Sequence, residues 1–235
     1  MILLTDIKQL FQQLFEDHRN TLTEFESKLV LSEIGIPIPP QTLVPIETDD
    51  DALASAEEIG YPVVAKLMAS DLSHKSDAGA VKLNLHDADE LVVALNELRA
   101  IETTGEVKVN IQAMAKKPIA EVIVGMVTDG QFGPALMFGL GGVFVELMKD
   151  VSFRIAPLSE FDANEMIHEI KGFPLLDGFR GAPKADVGAI TDLLLNLSSF
   201  VLQYPEVDQI DINPVFVYET SILAVDARIV LKSHA

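Results

Sequence analysis

The sequence contains no cysteine, so it can form neither a disulfide nor a thiolate metal site. Basic residues are scarce, since 17 lysines and arginines stand against 36 aspartates and glutamates, and the formal net charge is −19. This balance argues against binding to nucleic acid or to an anionic membrane, because both require a basic surface. A nucleotide remains compatible with the charge, because it needs only a local basic pocket and a metal ion.

Long apolar stretches are also absent, and none reaches the roughly 18 residues that cross a membrane. The opening segment, Met1–Asp6, is too short and too soon acidic for a signal peptide. We therefore expect a cytoplasmic protein. The 235 residues, of which 49% are hydrophobic, suffice for one large domain or two smaller ones.

The first part of the chain alternates between strand and helix patterns, which is typical of an α/β fold. Thr23 and Glu26 have the spacing of a capping box at the start of a helix. A second helix is predicted over 50–59, and a third begins after Asp87. The strand Gln41–Val44 precedes them.

The second part of the chain contains mostly short alternating strands joined by turns, which indicates an antiparallel α+β fold. The change falls near residue 108, so we predict two lobes, residues 1–107 and residues 108–235. The strands and helices predicted from residue 107 onward cover 107–113, 121–127, 135–139, 143–147, 152–156, 160–170, 186–203, 209–213 and 222–226.

His74 lies in a short polar loop between an apolar strand and an alternating strand. Imidazole is nucleophilic near neutral pH, because its ordinary pKa is about 6.5. The Gly79 backbone and nearby hydroxyls could hold phosphate oxygens, and Lys66 or Lys75 could offset their charge. Asp77 could orient the ring. The loop therefore suits phosphoryl chemistry, although a surface loop with an incidental histidine would look the same.

Two further residues, Lys66 and Gln112, lie where a nucleotide could contact them. Lys66 closes the apolar strand, and a lysine there either extends to solvent or meets an anion. Gln112 lies near the junction of the two lobes, where a base is usually recognised by backbone groups and one polar side chain. From the residues alone, a solvated strand position is the simpler interpretation of Gln112.

Asp211, Asn213 and Asp226 form a second candidate site. Asp211 and Asn213 are two residues apart on one strand, so both side chains point to the same face. Ile210 and Ile212 point to the other face. Asp226 ends the neighbouring strand, and oxygen ligands from adjacent strand ends suit Mg²⁺, which binds one or two carboxylates together with phosphates and water. The alternative is a solvent-facing set of ordinary polar residues.

The glycine-rich segment 139–142 fits neither the dinucleotide fingerprint nor the Walker A pattern, so a tight turn is the simpler interpretation. Arg154 follows it, and an arginine there could clamp a phosphate with two hydrogen bonds. The sequence has no nucleophile-elbow pattern and no cysteine nucleophile, which argues against hydrolysis by a catalytic triad.

Four segments together resemble a known family, and the match spans roughly residues 21–231. They are the opening from Leu-Thr-Glu-Phe-Glu at 22–26 to Gly-Ile-Pro at 35–37, the loop Asp71–Val81, the glycine-rich segment Gln131–Glu146, and Asp-Ile-Asn-Pro at 211–214. These segments are similar to those of the beta subunit of ADP-forming acetyl-CoA synthetase, which is the nucleotide-binding, ATP-grasp half of an acyl-CoA synthetase.

The resemblance implies an ATP-grasp fold, α/β and α+β, with the nucleotide held between two lobes. It implies that Lys66 contacts nucleotide phosphate. It further implies that Gln112, Ala113 and Met114 form the hinge for adenine and ribose. Glu121 matches the nucleotide-site carboxylate of the family.

The same resemblance implies a cofactor set of ATP or ADP with Mg²⁺. Asn213 and Asp226 match the metal ligands, with Asp211 as a further candidate, and Arg154 lies in a segment that the family places near the site. His74 matches the phosphohistidine that passes a phosphoryl group to ADP to make ATP, in a reversible reaction. The group comes from an acyl phosphate formed on a CoA-binding alpha subunit, with which this chain would form a hetero-oligomer.

The loop departs from the family pattern on both sides of the histidine. The family usually has Ser-Pro-Asp before it and two glycines after it, where this chain has Ala69-Ser70-Asp71 and Gly79-Ala80. These changes concern the stiffness of the loop and its phosphate contacts, and they leave the histidine in place. Two alternatives remain open: an ATP-grasp carboxylate ligase without a phosphohistidine, and a non-catalytic nucleotide-sensing subunit.

Overall fold

The computed structural model describes residues 6–69, 79–103, 107–142 and 150–233. The chain divides into two compact units. The first unit contains the described part of Pro39–Lys116, and the second contains the described residues up to Ile38 together with those from Lys117 onward. Within the described ranges, no helix is long and apolar enough to cross a membrane.

The helices and strands are numbered in chain order. The described helices are α1 (Ile7–Glu16), α2 (Glu24–Glu33), α3 (Asp50–Ile59), α4 (Ala88–Arg99), α5 (Glu160–Glu169), α6 (Phe173–Leu176) and α7 (Val187–Gln203), with a 3-10 turn at Phe179–Gly181. The described strands are β1 (Gln41–Pro45), β2 (Val63–Met68), β3 (Val81–Leu85), β4 (Lys108–Ala113), β5 (Ala120–Asp129), β6 (Gly133–Leu140), β7 (Val151–Ile155), β8 (Val207–Val217), β9 (Ile222–Ala224) and β10 (Ala227–Leu231).

The first unit is a four-stranded antiparallel sheet with two helices on one face. The strand order is β1-β4-β2-β3, and α3 contacts β1 and β4 while α4 contacts β2 and β3. Ala65 and Leu67 on β2 lie opposite Ile111 and Val109 on β4, and all four are buried. Because side chains alternate along a strand, the helices cover this apolar face and leave the intervening residues on the other.

The second unit contains a larger antiparallel sheet whose described strands run in the order β10-β8-β5-β6-β7, with β9 pairing with β8. Helices α5 and α7 pack together, and both contact β6. The apolar side of the sheet, with Val122 and Val124 on β5 and Ile210 and Ile212 on β8, is buried against these helices and against α1 and α2. Burial of this one face stabilises the unit.

The segment before Pro39 belongs to the second unit because it is bonded to the last strand. Leu22 N donates to Ile229 O at 3.0 Å, and Leu231 N donates to Asn20 O at 2.7 Å. The division therefore differs from the predicted lobes 1–107 and 108–235. At the other end, β4 stays in the first unit because it pairs with both β1 and β2.

Local start and stop signals predicted the helices well. Asp87 accepts a hydrogen bond from Glu90 N at the start of α4, and α3 spans the predicted residues and ends at Gly60, whose φ is +89°. The observed strands differ more from the predicted ones. Strand β8 continues four residues beyond the predicted end at 213, and the short helix α6 and the strand β10 were not predicted. The predicted strand 143–147 lies outside the described residues.

The start of α2 is held by an ion pair joined to its capping box. Thr23 Oγ1 accepts from Glu26 N at 3.2 Å, Glu26 Oε2 accepts from Thr23 N at 2.7 Å, and Arg19 Nη2 contacts the same oxygen at 2.7 Å. Burial acts to raise the pKa of Glu26, but the bonds from Arg19 and Thr23 outweigh it and hold the pKa below its ordinary value. The ionised carboxylate therefore stabilises the fold.

We predict that Glu26→Gln lowers the free energy of unfolding by about 1–2 kcal/mol at pH 7. A depressed pKa in the folded state stabilises above the unfolded value of about 4.3, and that stability is lost as the pH falls through the folded pKa. The difference from wild type should therefore shrink in acid, as measured by urea denaturation between pH 7 and pH 3. The control Glu33→Gln, at an exposed position of the same helix, should show no such change. A gap for Glu26→Gln that stays constant with pH would contradict the prediction.

Helix α2 also contains a buried ion pair. Lys28 Nζ lies 2.9 Å from Glu24 Oε1, and the two side chains are 0% and 4% exposed. Breaking a buried pair leaves one charge dehydrated, so we expect Lys28→Met and Glu24→Gln each to cost about 3–5 kcal/mol. The double variant should cost clearly less than the sum of the two in a double-mutant cycle of urea unfolding. Additive costs would show that the pair is not coupled.

Candidate functional site

Lys66 and Gln112 lie on the helix-free face of the first sheet. Lys66 is opposite Asn110 across the β2–β4 ladder, and Gln112 is opposite Val64, so all four residues point to one side. The lysine is two residues from the end of β2 and only 4% exposed. Lys66 therefore does not extend to solvent, which was one of the two interpretations of this residue. A buried ammonium needs anionic or polar neighbours.

Asn110 and Gln41 extend this polar face and were not singled out from the sequence. Asn110 Nδ2 donates to Gln41 Oε1 at 2.9 Å. Asn110 Oδ1 and Gln41 Nε2 are buried and have no hydrogen-bond partner among the described residues. The signal for Asn110 was available, because β4 alternates between apolar Val109 and Ile111 and the polar pair Asn110 and Gln112. The face thus combines a cation with amide groups, as a nucleotide site would require.

The predicted hinge residues Ala113 and Met114 follow Gln112 at the end of β4. Their amide groups are already engaged, because Ala113 N donates to Pro40 O at 2.9 Å and Met114 N donates to Pro62 O at 3.0 Å. A base held here would therefore be recognised by carbonyl groups and side chains rather than by these two N–H groups. The bonds also fix the backbone of the segment.

His74 lies outside the described residues, as do the other residues of 70–78, but both ends of its loop are described. Leu67 N donates to Ala80 O at 2.8 Å, which closes the antiparallel pair of β2 and β3. Gly79 has a left-handed φ of +70°. The predicted polar connection therefore joins two neighbouring strands of one sheet.

Asp211, Asn213 and Asp226 meet at an irregularity in the second sheet. Ile210 and Ile212 are buried on the opposite face, as predicted, while Asp211 and Asn213 are exposed. Asn213 N donates to Asp226 O at 3.2 Å, which places the two residues side by side. Asp226 lies in the two-residue link between β9 and β10, rather than at the end of a strand.

The irregularity is an extra residue in β8. Val124 of β5 pairs with Ile212, and Val122 pairs with Val215, so Asn213 and Pro214 together face a single β5 residue. Proline has no N–H to donate, so it interrupts the ladder, and β8 pairs with β10 before this point and with β9 after it. Such bulges re-aim side chains and often lie beside active sites.

The charge at this point depends on Asp211 and its neighbour across the ladder. Dehydration by the surrounding sheet raises the pKa of Asp211, although its side chain still reaches solvent, and Arg228 opposite it on β10 opposes the shift. Among the described residues, no group of three or more histidine, cysteine or carboxylate side chains could hold a metal ion. Two carboxylates and one amide oxygen remain, and this oxygen-only set suits Mg²⁺ that is also bound by phosphates.

Glu121 lies at the start of β5 against the glycine segment. Gly141 N donates to Glu121 O at 2.7 Å, and a Cβ atom at Gly141 would come within 3.1 Å of the Glu121 backbone and Cβ. Gly142 has a φ of +68°. These contacts explain why the turn needs glycine. By strand alternation, Glu121 shares a face with Gly125, which pairs with Asp211.

Arg154 is not brought together with these residues. On β7 it lies opposite Leu136, and its neighbour Ser152 bonds to Met166 O of α5, so both side chains occupy the helix-covered side of the sheet. Arg154 Nη2 pairs with Glu169 of α5 at 2.8 Å. Glu121 and Asp211 lie on the other side. The predicted role as a phosphate clamp therefore gains no support from this position.

Comparison with known proteins identifies the family to which the chain belongs. The model of the ATP-grasp domain family matches residues 13–231. The beta subunit of acetate–CoA ligase (ADP-forming) II from Pyrococcus furiosus is 44% identical over 95% of this chain and 97% of its own length. The acetate–CoA ligase (ADP-forming) II of Archaeoglobus fulgidus is 47% identical over 89% of this chain, which corresponds to 30% of that longer protein.

A solved structure gives the same result. It is the dinucleotide-forming acetyl-coenzyme A synthetase 1 of Ca. Korarchaeum cryptofilum in complex with coenzyme A and Mg-AMPPCP, with its phosphohistidine segment pointing towards the nucleotide-binding site. It is 41% identical, covers 96% of this chain and 99% of its own, and superimposes with a TM-score of 0.85. The chain therefore has the predicted ATP-grasp fold and belongs to the ATP-grasp family, within the beta subunits of ADP-forming acetate–CoA ligases.

Proposed function

We propose that this chain is the nucleotide-binding subunit of an ADP-forming acyl-CoA synthetase and that it relays a phosphoryl group through His74 to ADP. The strongest support is the similarity, over nearly the whole chain, to a synthetase that binds coenzyme A and Mg-AMPPCP and has a phosphohistidine segment. In the sequence, His74 falls in the connection between β2 and β3.

We assign nucleotide binding to five residues that the sequence singled out. Lys66 would neutralise phosphate charge, which a buried ammonium on a polar face can do strongly. Gln112, Ala113 and Met114 would border the base and ribose. Glu121 would supply a carboxylate from the start of β5.

The metal-binding role falls to the β8 irregularity. Asn213 and Asp226 would hold Mg²⁺ through side-chain oxygens, with Asp211 as a further ligand. A metal bound there supplies positive charge that neutralises the nucleotide phosphates. The backbone bond from Asn213 N to Asp226 O keeps the two residues adjacent before any metal binds.

The relay itself requires His74 to be a nucleophile and then a leaving group. In the ATP-forming direction, neutral His74 accepts the phosphoryl group from a histidine of the companion subunit, and a P–N bond forms as the donor P–N bond breaks. A terminal phosphate oxygen of ADP then attacks in line, the P–N bond at His74 breaks, and the imidazole returns to its neutral form. The companion subunit would bind CoA and form the acyl phosphate.

The first prediction from this function concerns His74. Incubation of the chain and its CoA-binding partner with Mg²⁺ and γ-labelled ATP should produce acid-labile, base-stable label on the peptide that contains His74. His74→Asn should abolish the label and retain nucleotide binding. The matched control His86→Asn, at an exposed histidine of the same unit, should label normally. An unlabelled wild type that still binds nucleotide would refute the relay and favour a direct ligase or a nucleotide sensor.

The second prediction concerns the metal site. Asp226→Asn should weaken the Mg²⁺-dependent part of ATP binding about tenfold or more, because a charged oxygen ligand is replaced by a neutral one. The measurement is calorimetric titration with Mg²⁺ and with excess EDTA. Glu219→Gln, which removes a carboxylate from the turn between β8 and β9, is the control and should bind as wild type does. Equal Mg²⁺ dependence in Asp226→Asn and wild type would reject the assignment.

A further inference from the structure

An open groove of about 710 Å³ lies between the edge strand β3 and helix α4 of the first unit. Val81, Lys82, Leu83, Asn84 and Leu85 line it on the strand side, and Asp89, Glu90, Val93, Ala94 and Glu97 line it on the helix side. No residue assigned above to nucleotide or metal binding lines this groove.

The groove exposes apolar side chains beside the outer edge of β3, which pairs with no other described strand on that side. Leu83 is 56% exposed and Val93 is 59% exposed, which is unusual for two large apolar residues lining the same depression. Strand β3 ends its sheet, since among the described strands only β2 pairs with it. Ala65 pairs with Lys82 and Lys66 with Val81, so the alternation of an antiparallel ladder directs the N–H group of Val81 away from β2, before the register shifts between Lys82 and Leu85.

The charges around the groove are mainly acidic. Asp89, Glu90 and Glu97 lie on its helix side, and Lys82 is the one cation among the described residues that line it. Lys82 already forms an ion pair with Glu97, and the exposed His86 contacts Glu90. An anionic occupant would be repelled, whereas a basic one would find complementary charge.

We propose that this groove docks an extended basic segment of the CoA-binding companion subunit, which adds a strand to the open edge of β3. A groove between an edge strand and a helix suits this mode, because backbone bonds form along the strand while alternate apolar side chains contact the helix. Lysines or arginines on the segment would meet Asp89 and Glu90. The inference rests on the proposed function for the existence of the companion.

Relatives differ in how this region is joined to others. The Pyrococcus furiosus beta subunit matches 95% of this chain over 97% of its own length, whereas in the Archaeoglobus fulgidus ligase the matching region is 30% of one long chain. In a synthetase built of separate subunits, surface contacts alone hold the companion. The groove is a surface with the required apolar floor, open backbone and charge.

The first experiment places a charge in the groove. Val93→Glu should weaken binding of the purified CoA-binding subunit about tenfold or more, because the new carboxylate would be dehydrated against an apolar side chain. Leu202→Glu is the matched control, since Leu202 is an apolar residue of the second unit with 49% exposure. Asp89→Lys is a second variant and should weaken binding and reduce its dependence on salt. Nucleotide binding by all three variants should equal that of wild type.

The second experiment tests strand addition directly. Hydrogen exchange of the wild-type chain, with and without the companion, should show the amide of Val81 protected only in the complex. Unchanged exchange of the Val81 amide in a formed complex would overturn strand addition. Wild-type affinity for the companion in both Val93→Glu and Asp89→Lys, or no binding by wild type itself, would overturn docking at the groove.

The outcomes separate this inference from the proposed function. Labelling of His74 together with unaffected docking in the groove variants would leave the relay standing and remove only the docking site. Absence of label together with groove-dependent docking would remove the relay and retain the interface.

Discussion

The second unit depends on the ladder between β5 and β8, which occupies the middle of its sheet. Val122 and Val124 enter the core from one strand, and Ile212 and Val215 enter it from the other. The extra residue at Asn213–Pro214 allows Ile212 and Val215 to share this core although three positions separate them. A slip of one residue would bury Asp211 and expose isoleucines, so apolar burial holds the register. The same register places Asp211 and Asn213 together on the opposite face of the sheet.

In both units, one face of the sheet is apolar and buried, and the other face carries the candidate site residues. In the first unit, α3 and α4 cover the apolar side, and Lys66 and Gln112 lie on the other. The residues that bury apolar area and the residues available for chemistry therefore alternate along the same strands. Although the chain has a net charge of −19, strand geometry directs Lys66 to the face opposite α3 and α4, where its ladder neighbours are Val81 and Asn110.

Sequence patterns predicted the helices through local signals, such as the Thr23–Glu26 box and Asp87, because such caps depend on residues three positions apart. They predicted the shared face of Asp211 and Asn213 for the same reason. The division between units could not be predicted, since it depends on bonds between Leu22 and Ile229, which are far apart in sequence. The side of the sheet on which Arg154 lies depends on pairing with β6, which no local pattern contains. The phase shift from Ile210 and Ile212 to Val215 and Val217, together with Pro214 between them, was the available sign of the bulge.

One departure from the family pattern around His74 is the alanine at position 80, which lies within the described residues. Ala80 replaces a glycine, but its side chain is fully buried in the core of the first unit and its carbonyl accepts from Leu67 N. The backbone that needs glycine is one position earlier, at Gly79, where φ is +70°. A methyl group at residue 80 therefore adds apolar contact at the start of β3 and leaves the left-handed turn intact.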